Sequence, residues 1–178
     1  MVKKKFKETF VKVNVSKIIK NHLGTLVNAN TKKASFGDYF VFLILPLIIA
    51  STLIYFNVLM GGDIVNIIIT GLAIFVGLLF NVIVLLFTII PKDIIKERLK
   101  VNILEEVIYN CSFTILLSIL CIILCVFTKL TNPVVIYVVN FISYYFFTLF
   151  LFTLLMILKR LQSLLTNEFE ELKNSSNQ

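Results

Sequence analysis

Uncharged, strongly apolar residues fall into four long runs along this chain, at about 39–60, 64–90, 107–128 and 133–158. About 20 residues of helix cross a ~30 Å hydrocarbon layer. The pattern therefore predicts an all-α membrane protein with four transmembrane helices. Pro46 falls well inside the first run, where its missing N–H and its ring predict a kink. Gly61-Gly62 ends that run, Asp63 is placed to cap the next helix, and Pro91 stops it. Asp93 is placed to cap a third helix that begins in the connection 91–106, since nothing between 94 and 128 breaks a helix. Asn132-Pro133 reads as a cap followed by a first-turn proline. Leu154, Leu158, Leu161, Leu165, Glu168 and Leu172 step 4-3-4-3-4, which carries the fourth helix past the membrane to about 173 with a face suited to another helix. Helices three and four thus gain cytoplasmic extensions, and the tail "KNSSNQ" is disordered by composition.

The polar residues inside the runs are periodic too. In the second, Asn66, Thr70, Ala73, Gly77, Asn81, Val84 and Thr88 share one helical face, and in the third Cys111, Thr114, Ser118, Cys121, Cys125 and Thr128 do the same. Asn140 and Ser143 give the fourth a shorter seam. Two readings apply to the seams of spans two and three. Small residues let helices approach closely in lipid and polar ones bond across the contact, so the two spans can pack through them. Alternatively one seam, span two first, lines a conduit in an oligomer without the cost of a buried charge. The pore-lining candidates are Asn66, Thr70, Ala73, Gly77, Asn81, Thr88, Thr114, Ser118 and Cys121.

Charge fixes the expected orientation. Residues 1–38 hold nine lysines against Glu8 and Asp38, the second connection adds Lys92, Lys96, Arg98 and Lys100, and Lys159, Arg160 and Lys173 follow the fourth run. The other two connections carry only Asp63 and Lys129. Basic residues stay inside, so both termini are expected in the cytoplasm of a multi-pass inner-membrane protein. The expected organisation is a basic arm (1–38), a transmembrane domain (39–158) and a cytoplasmic helix with a tail (159–178). Val11, Val15, Ile18, Leu23 and Leu26 fit one stripe of an amphipathic helix near 9–28 that would lie on anionic lipid, with His22 on its polar face. The alternation of Val11, Val13 and Val15 is a weaker strand signal. Lys3, Lys4, Lys5, Lys7, Lys12, Lys92, Lys96, Arg98 and Lys100 are candidates for binding lipid or another anion, and a nucleotide, an oligonucleotide or a regulatory protein would fit there.

The 178 residues are 58% hydrophobic and carry a net charge of +7. The polar stretch ahead of the first run argues against a cleaved secretory signal there. All three cysteines lie in the third run and read as small packing residues. No charged residue or histidine sits well inside a span, which argues against a proton relay. No metal-ligand spacing, phosphate loop or nucleophile with its base is visible, so neither cofactor nor enzymatic activity is expected.

"GLAIFVGLLFNVIVLLF" (71–87), "NCSFTILLSIL" (110–120) and "LLMILKRLQSLL" (154–165) give the chain its likeness to known proteins. In these stretches it resembles the small four-span membrane effectors of bacterial antiphage defence systems of the Hailong and CBASS types. The resemblance implies oligomerisation and permeabilisation of the inner membrane when triggered. The expected function is a homo-oligomeric pore, with a tetramer as the simplest assembly, gated from the cytoplasm. The alternatives are a non-conducting interaction subunit of the bacteriocin-immunity or assembly type and a holin-like lysis protein, the latter disfavoured by the long arm and cytoplasmic helices.

Overall fold

A computed structural model describes residues 15–26, 36–89, 98–128 and 132–175, and all its regular structure is helical. Helix α1 is Val15–Thr25. Helix α2 is a continuous run over 36–55 with a π-helical segment at Phe40–Ile44. Helices α3 (Gly62–Ile89), α4 (Arg98–Phe127) and α5 (Pro133–Ser175) follow. Three of them contain stretches long and apolar enough to cross a membrane: Gly62–Thr88, Val101–Phe127 and Val134–Thr166. The chain is a membrane protein on that ground. The apolar part of α2, Phe40–Tyr55, is shorter.

The π segment answers to Pro46. A proline in mid-helix offers no N–H and its ring collides with the carbonyl four residues back. Here the turn ahead of it is widened, and the Leu45 N–H reaches back five residues to the Phe40 carbonyl. Pro46 and Ala50 are then buried against the bundle. The helix stops at Tyr55, earlier than the 60 expected, because Asn57 takes a left-handed conformation (φ 55°). Asparagine tolerates this better than most residues. The Tyr137 hydroxyl donates to Asn57 Oδ1 (3.2 Å), and the Met60 N–H donates to Asn140 Oδ1 (2.8 Å). Asn140 Nδ2 in turn donates to the Ile136 carbonyl at 2.8 Å. The seam residue of the last helix therefore ties down the turn between α2 and α3.

The caps differ in one respect from expectation. Asn132 does cap α5, its Oδ1 accepting the Val134 N–H at 3.1 Å. Asp63, expected as a cap, instead lies in the first turn of α3, where a carboxylate suits the helix dipole. Gly61 takes the cap position, since its carbonyl accepts the first helical bond from the Val65 N–H at 3.0 Å. The proposed cap at Asp93 lies outside the described residues.

Three apolar clusters hold the bundle together. Ala50, Met60, Val65, Leu72, Cys125 and Phe150 join α2, α3, α4 and α5 at one end. Leu79, Leu86, Val107, Cys111 and Ile157 join α3, α4 and α5 towards the other. Leu26, Phe42, Phe113, Leu117 and Leu149 fasten α1 to α2, α4 and α5. Helix α5 is unbroken for 43 residues, two past the expected end, which at ~1.5 Å per residue is about twice the thickness of the hydrocarbon layer.

Candidate functional site

The seam of α4 is consumed inside the chain. Cys111, Thr114, Ser118, Cys121 and Cys125 are all 0% exposed. The Thr114 hydroxyl donates to the Asn110 carbonyl and the Ser118 hydroxyl to the Thr114 carbonyl, so each polar group is satisfied along its own helix. The Cys121 thiol points to the Ser143 carbonyl of α5, 3.8 Å away. These small side chains let α4 and α5 approach closely. Thr114, Ser118 and Cys121 are thus removed from the pore-lining set, because the face they share is filled by the neighbouring helix.

The seam of α3 is left open. Asn66, Thr70, Ala73, Gly77, Asn81, Val84 and Thr88 are all exposed. What α3 buries is the opposite side, Val65, Ile68, Leu72, Leu79 and Leu86. Only 17% of its most apolar stretch is buried, against 50% for α4 and 39% for α5. A methyl group added at Gly77 would meet nothing, so among the described residues no helix uses the close approach that Ala73 and Gly77 permit. Thr88 satisfies its hydroxyl on the Leu85 carbonyl (2.8 Å). An amide can return its NH2 group to the carbonyl one turn back, as Asn140 does, but its oxygen finds no donor along the helix, and a buried polar atom left unpaired loses a few kcal/mol. The two α3 asparagines therefore require water or a partner's polar atoms alongside. The seams of α3 and α4 do not meet each other, which sets aside the reading in which spans two and three pack through both.

A second polar cluster, missed in the sequence, lies where α1 meets α4 and α5. His22 was expected on a polar face and is instead 2% exposed. Its ring stacks on Phe113 (centroids 3.8 Å apart, planes 8° apart) and meets the edge of Phe42 at 6.4 Å. His22 Nδ1 lies 2.8 Å from Asn110 Oδ1, and the Thr25 hydroxyl reaches the same oxygen at 2.8 Å and the His22 carbonyl at 2.7 Å. Asn110 Nδ2 is buried without a partner. Arg160 of α5 donates from Nη2 to the Thr25 carbonyl (2.8 Å), closing the C-terminal end of α1 with a positive charge, and pairs through Nη1 with Glu106 of α4. Burial pushes the His22 pKa from 6.5 down to about 4; the Asn110 contact opposes this and nearby Arg160 adds to it. The helical stripe is accordingly rotated from the expected one, with Leu23 41% exposed while Ile18, His22, Thr25 and Leu26 face the bundle. The signal available in the sequence was the spacing of Ile18, His22 and Thr25 at three to four residues.

Of the basic candidates, Arg98 and Lys100 open α4, whereas Lys3, Lys4, Lys5, Lys7, Lys12, Lys92 and Lys96 lie outside the described residues. The valine alternation at 11–13 and the tail beyond Ser175 lie outside them as well. Among the described residues no three His, Cys, Asp or Glu side chains gather as they would around a metal. No family model, curated protein or solved structure matches the chain.

Proposed function

We propose that this protein is a homo-oligomeric, non-enzymatic channel of the bacterial inner membrane, with four spans and both termini in the cytoplasm. In this reading α2, α3, α4 and α5 are the spans, and the ends of α4 and α5 nearest Arg98 and Lys173 project into the cytoplasm beside the basic arm. One observation carries the reading: the polar face of α3 remains exposed while the comparable face of α4 is filled. A helix carrying two unpaired amides is stable in a membrane when copies of it surround water or one another. Copies arranged about an axis place Asn66, Thr70, Gly77, Asn81 and Thr88 along it, a wettable lining without charge. The resemblance to antiphage membrane effectors gives such a channel a role, the collapse of the membrane gradient in an infected cell. The lysine-rich cytoplasmic side suits an anionic trigger, whether nucleotide, oligonucleotide or lipid.

The test is Asn81→Leu, measured by planar-bilayer current beside size-exclusion profiles. A ring of leucines dewets where a ring of amides conducts. Current and toxicity are expected to fall with the assembly intact. Full current from a properly assembled variant overturns the pore. Loss of assembly, with no current to lose in the parent protein, makes the same face a packing surface and the chain an interaction subunit.

A further inference from the structure

We infer that α1 is a proton-sensitive latch: it docks across α4 and α5 with His22 neutral, and protonation of His22 releases it. The inference stands on the packing of α1 and is independent of the channel reading.

The docked ring is buried at the wall of a largely apolar cleft. Phe113 covers one face, Phe42 approaches the edge, and Leu26 and Leu117 complete the cluster beside it. Among the described residues the groups that bear on its charge are few. Helix α4 offers the neutral amide of Asn110 and, through Arg160, the carboxylate of Glu106. Helix α5 offers the Arg160 guanidinium, and Tyr145 lines the same cleft. Among its described side chains, helix α2 contributes apolar Phe42 and Leu43 to that cleft. On α1 itself, Lys17 and Lys20 are exposed. Glu106 is committed to Arg160, so among the described residues no carboxylate bonds His22 to receive an imidazolium. Stacking on Phe113 would return about 2 kcal/mol to a desolvated cation, whereas desolvating one costs several, and Arg160 nearby adds repulsion. Charging His22 therefore disfavours the docked state.

The other contacts make the response a movement. The Thr25 hydroxyl and the Arg160 bond to the Thr25 carbonyl both belong to the last turn of α1. Both depend on the same seating that buries His22. When the ring leaves, these bonds go with it, and α1 detaches as a unit.

The sign follows from the two states. A free histidine titrates near 6.5 and the docked one near 4. Docking is thus fully favoured above about pH 6.5 and weakens as pH falls toward 4. Linkage puts the loss in the docked-to-free ratio at about 30-fold between about pH 7.5 and pH 5.

His22 is the chain's single histidine, so a protein labelled with ¹⁵N-histidine reports its protonation without assignment. Spin labels at Lys20 and at Tyr55, both exposed, report the position of α1 by dipolar EPR in the full chain in nanodiscs. The native cysteines are buried and do not take the label. The expected result is one narrow distance near pH 7.5, replaced on acidification by a broad one with the midpoint of the imidazole titration. His22→Gln is expected to hold the narrow distance at both pH values. A distance that stays narrow while His22 becomes protonated overturns the latch, as does an unchanged pH response in His22→Gln. Should His22→Gln be detached at every pH, the parent protein decides alone: coincident midpoints support the latch and separated ones overturn it.

Discussion

Asn140 and Asn81 both interrupt apolar helices, and only the first finds partners inside the chain. Asn140 receives the Met60 N–H and gives its own to Ile136. Asn140→Leu leaves the Met60 N–H without that acceptor, an expected loss of ~0.6–2 kcal/mol, read as a lower melting temperature of the detergent-dispersed chain. Asn81→Leu should leave that temperature unchanged, because Asn81 is exposed and no described residue bonds its amide. Equal destabilisation by the two substitutions would place a hidden partner on α3. While His22 read as an ordinary polar-face residue, residue identity marked both asparagines as unusual. It did not say which would be satisfied, because that depends on which neighbour reaches the face. For His22 the outcome turned on a single step around α1, where Phe113 offered a flat surface to the ring and left Leu23 outside.

Helix type and approximate limits were legible wherever local chemistry decides them, as at Asn132-Pro133 and along the unbroken stretch of α5. They were less legible where two elements negotiate. Helix α2 ends at Tyr55 because the turn is held by Asn140 and Tyr137, residues some 80 positions away. The π turn was announced by Pro46 only as a disturbance. On α5, the 4-3 spacing proved to contain two kinds of position. Leu161 packs into the bundle, while Leu158 and Leu165 are 59% and 58% exposed. Those exposed leucines would suit a second helix in the proposed assembly. Leu165→Glu is expected to weaken self-association at least several-fold in size-exclusion light scattering without lowering the helix content of the monomer. Unaltered association would confine the oligomer contacts to the membrane.

For the molecule as a whole, the proposed topology predicts that cysteines at Lys4 and Ser175 react only after the inner membrane is opened, and that one at Gly62 reacts in intact cells. Labelling of position 4 or 175 from outside reverses the orientation. The shape of the bundle carries the larger consequence. Helix α3 sits at its margin, lying against α4 and touching α5 through side chains such as Phe75 and Phe150, whose rings are 5.8 Å apart. A marginal helix normally shows lipid a uniform apolar surface, but α3 shows Leu78 and Phe87 on two sides of a polar strip. Each residue advances a helix by about 100°, so Asn66, Ala73, Gly77 and Asn81 fall within one quarter of the circumference. Leu78 and Phe87 lie about a quarter-turn to either side. If copies of α3 meet or surround an axis through that strip, single cysteines at Ala73, Gly77 and Asn81 come near their symmetry mates. Mild oxidation in membranes should then give disulfide-linked dimers at those positions, and far less at Leu78 and Phe87. The native thiols stay silent because Cys111, Cys121 and Cys125 are 0% exposed. Yields that follow the strip with a period of three to four residues would fix α3 at the subunit boundary. Equal yields at all five positions would mean random collision in the bilayer, and no yield at any would leave the polar strip to a different partner.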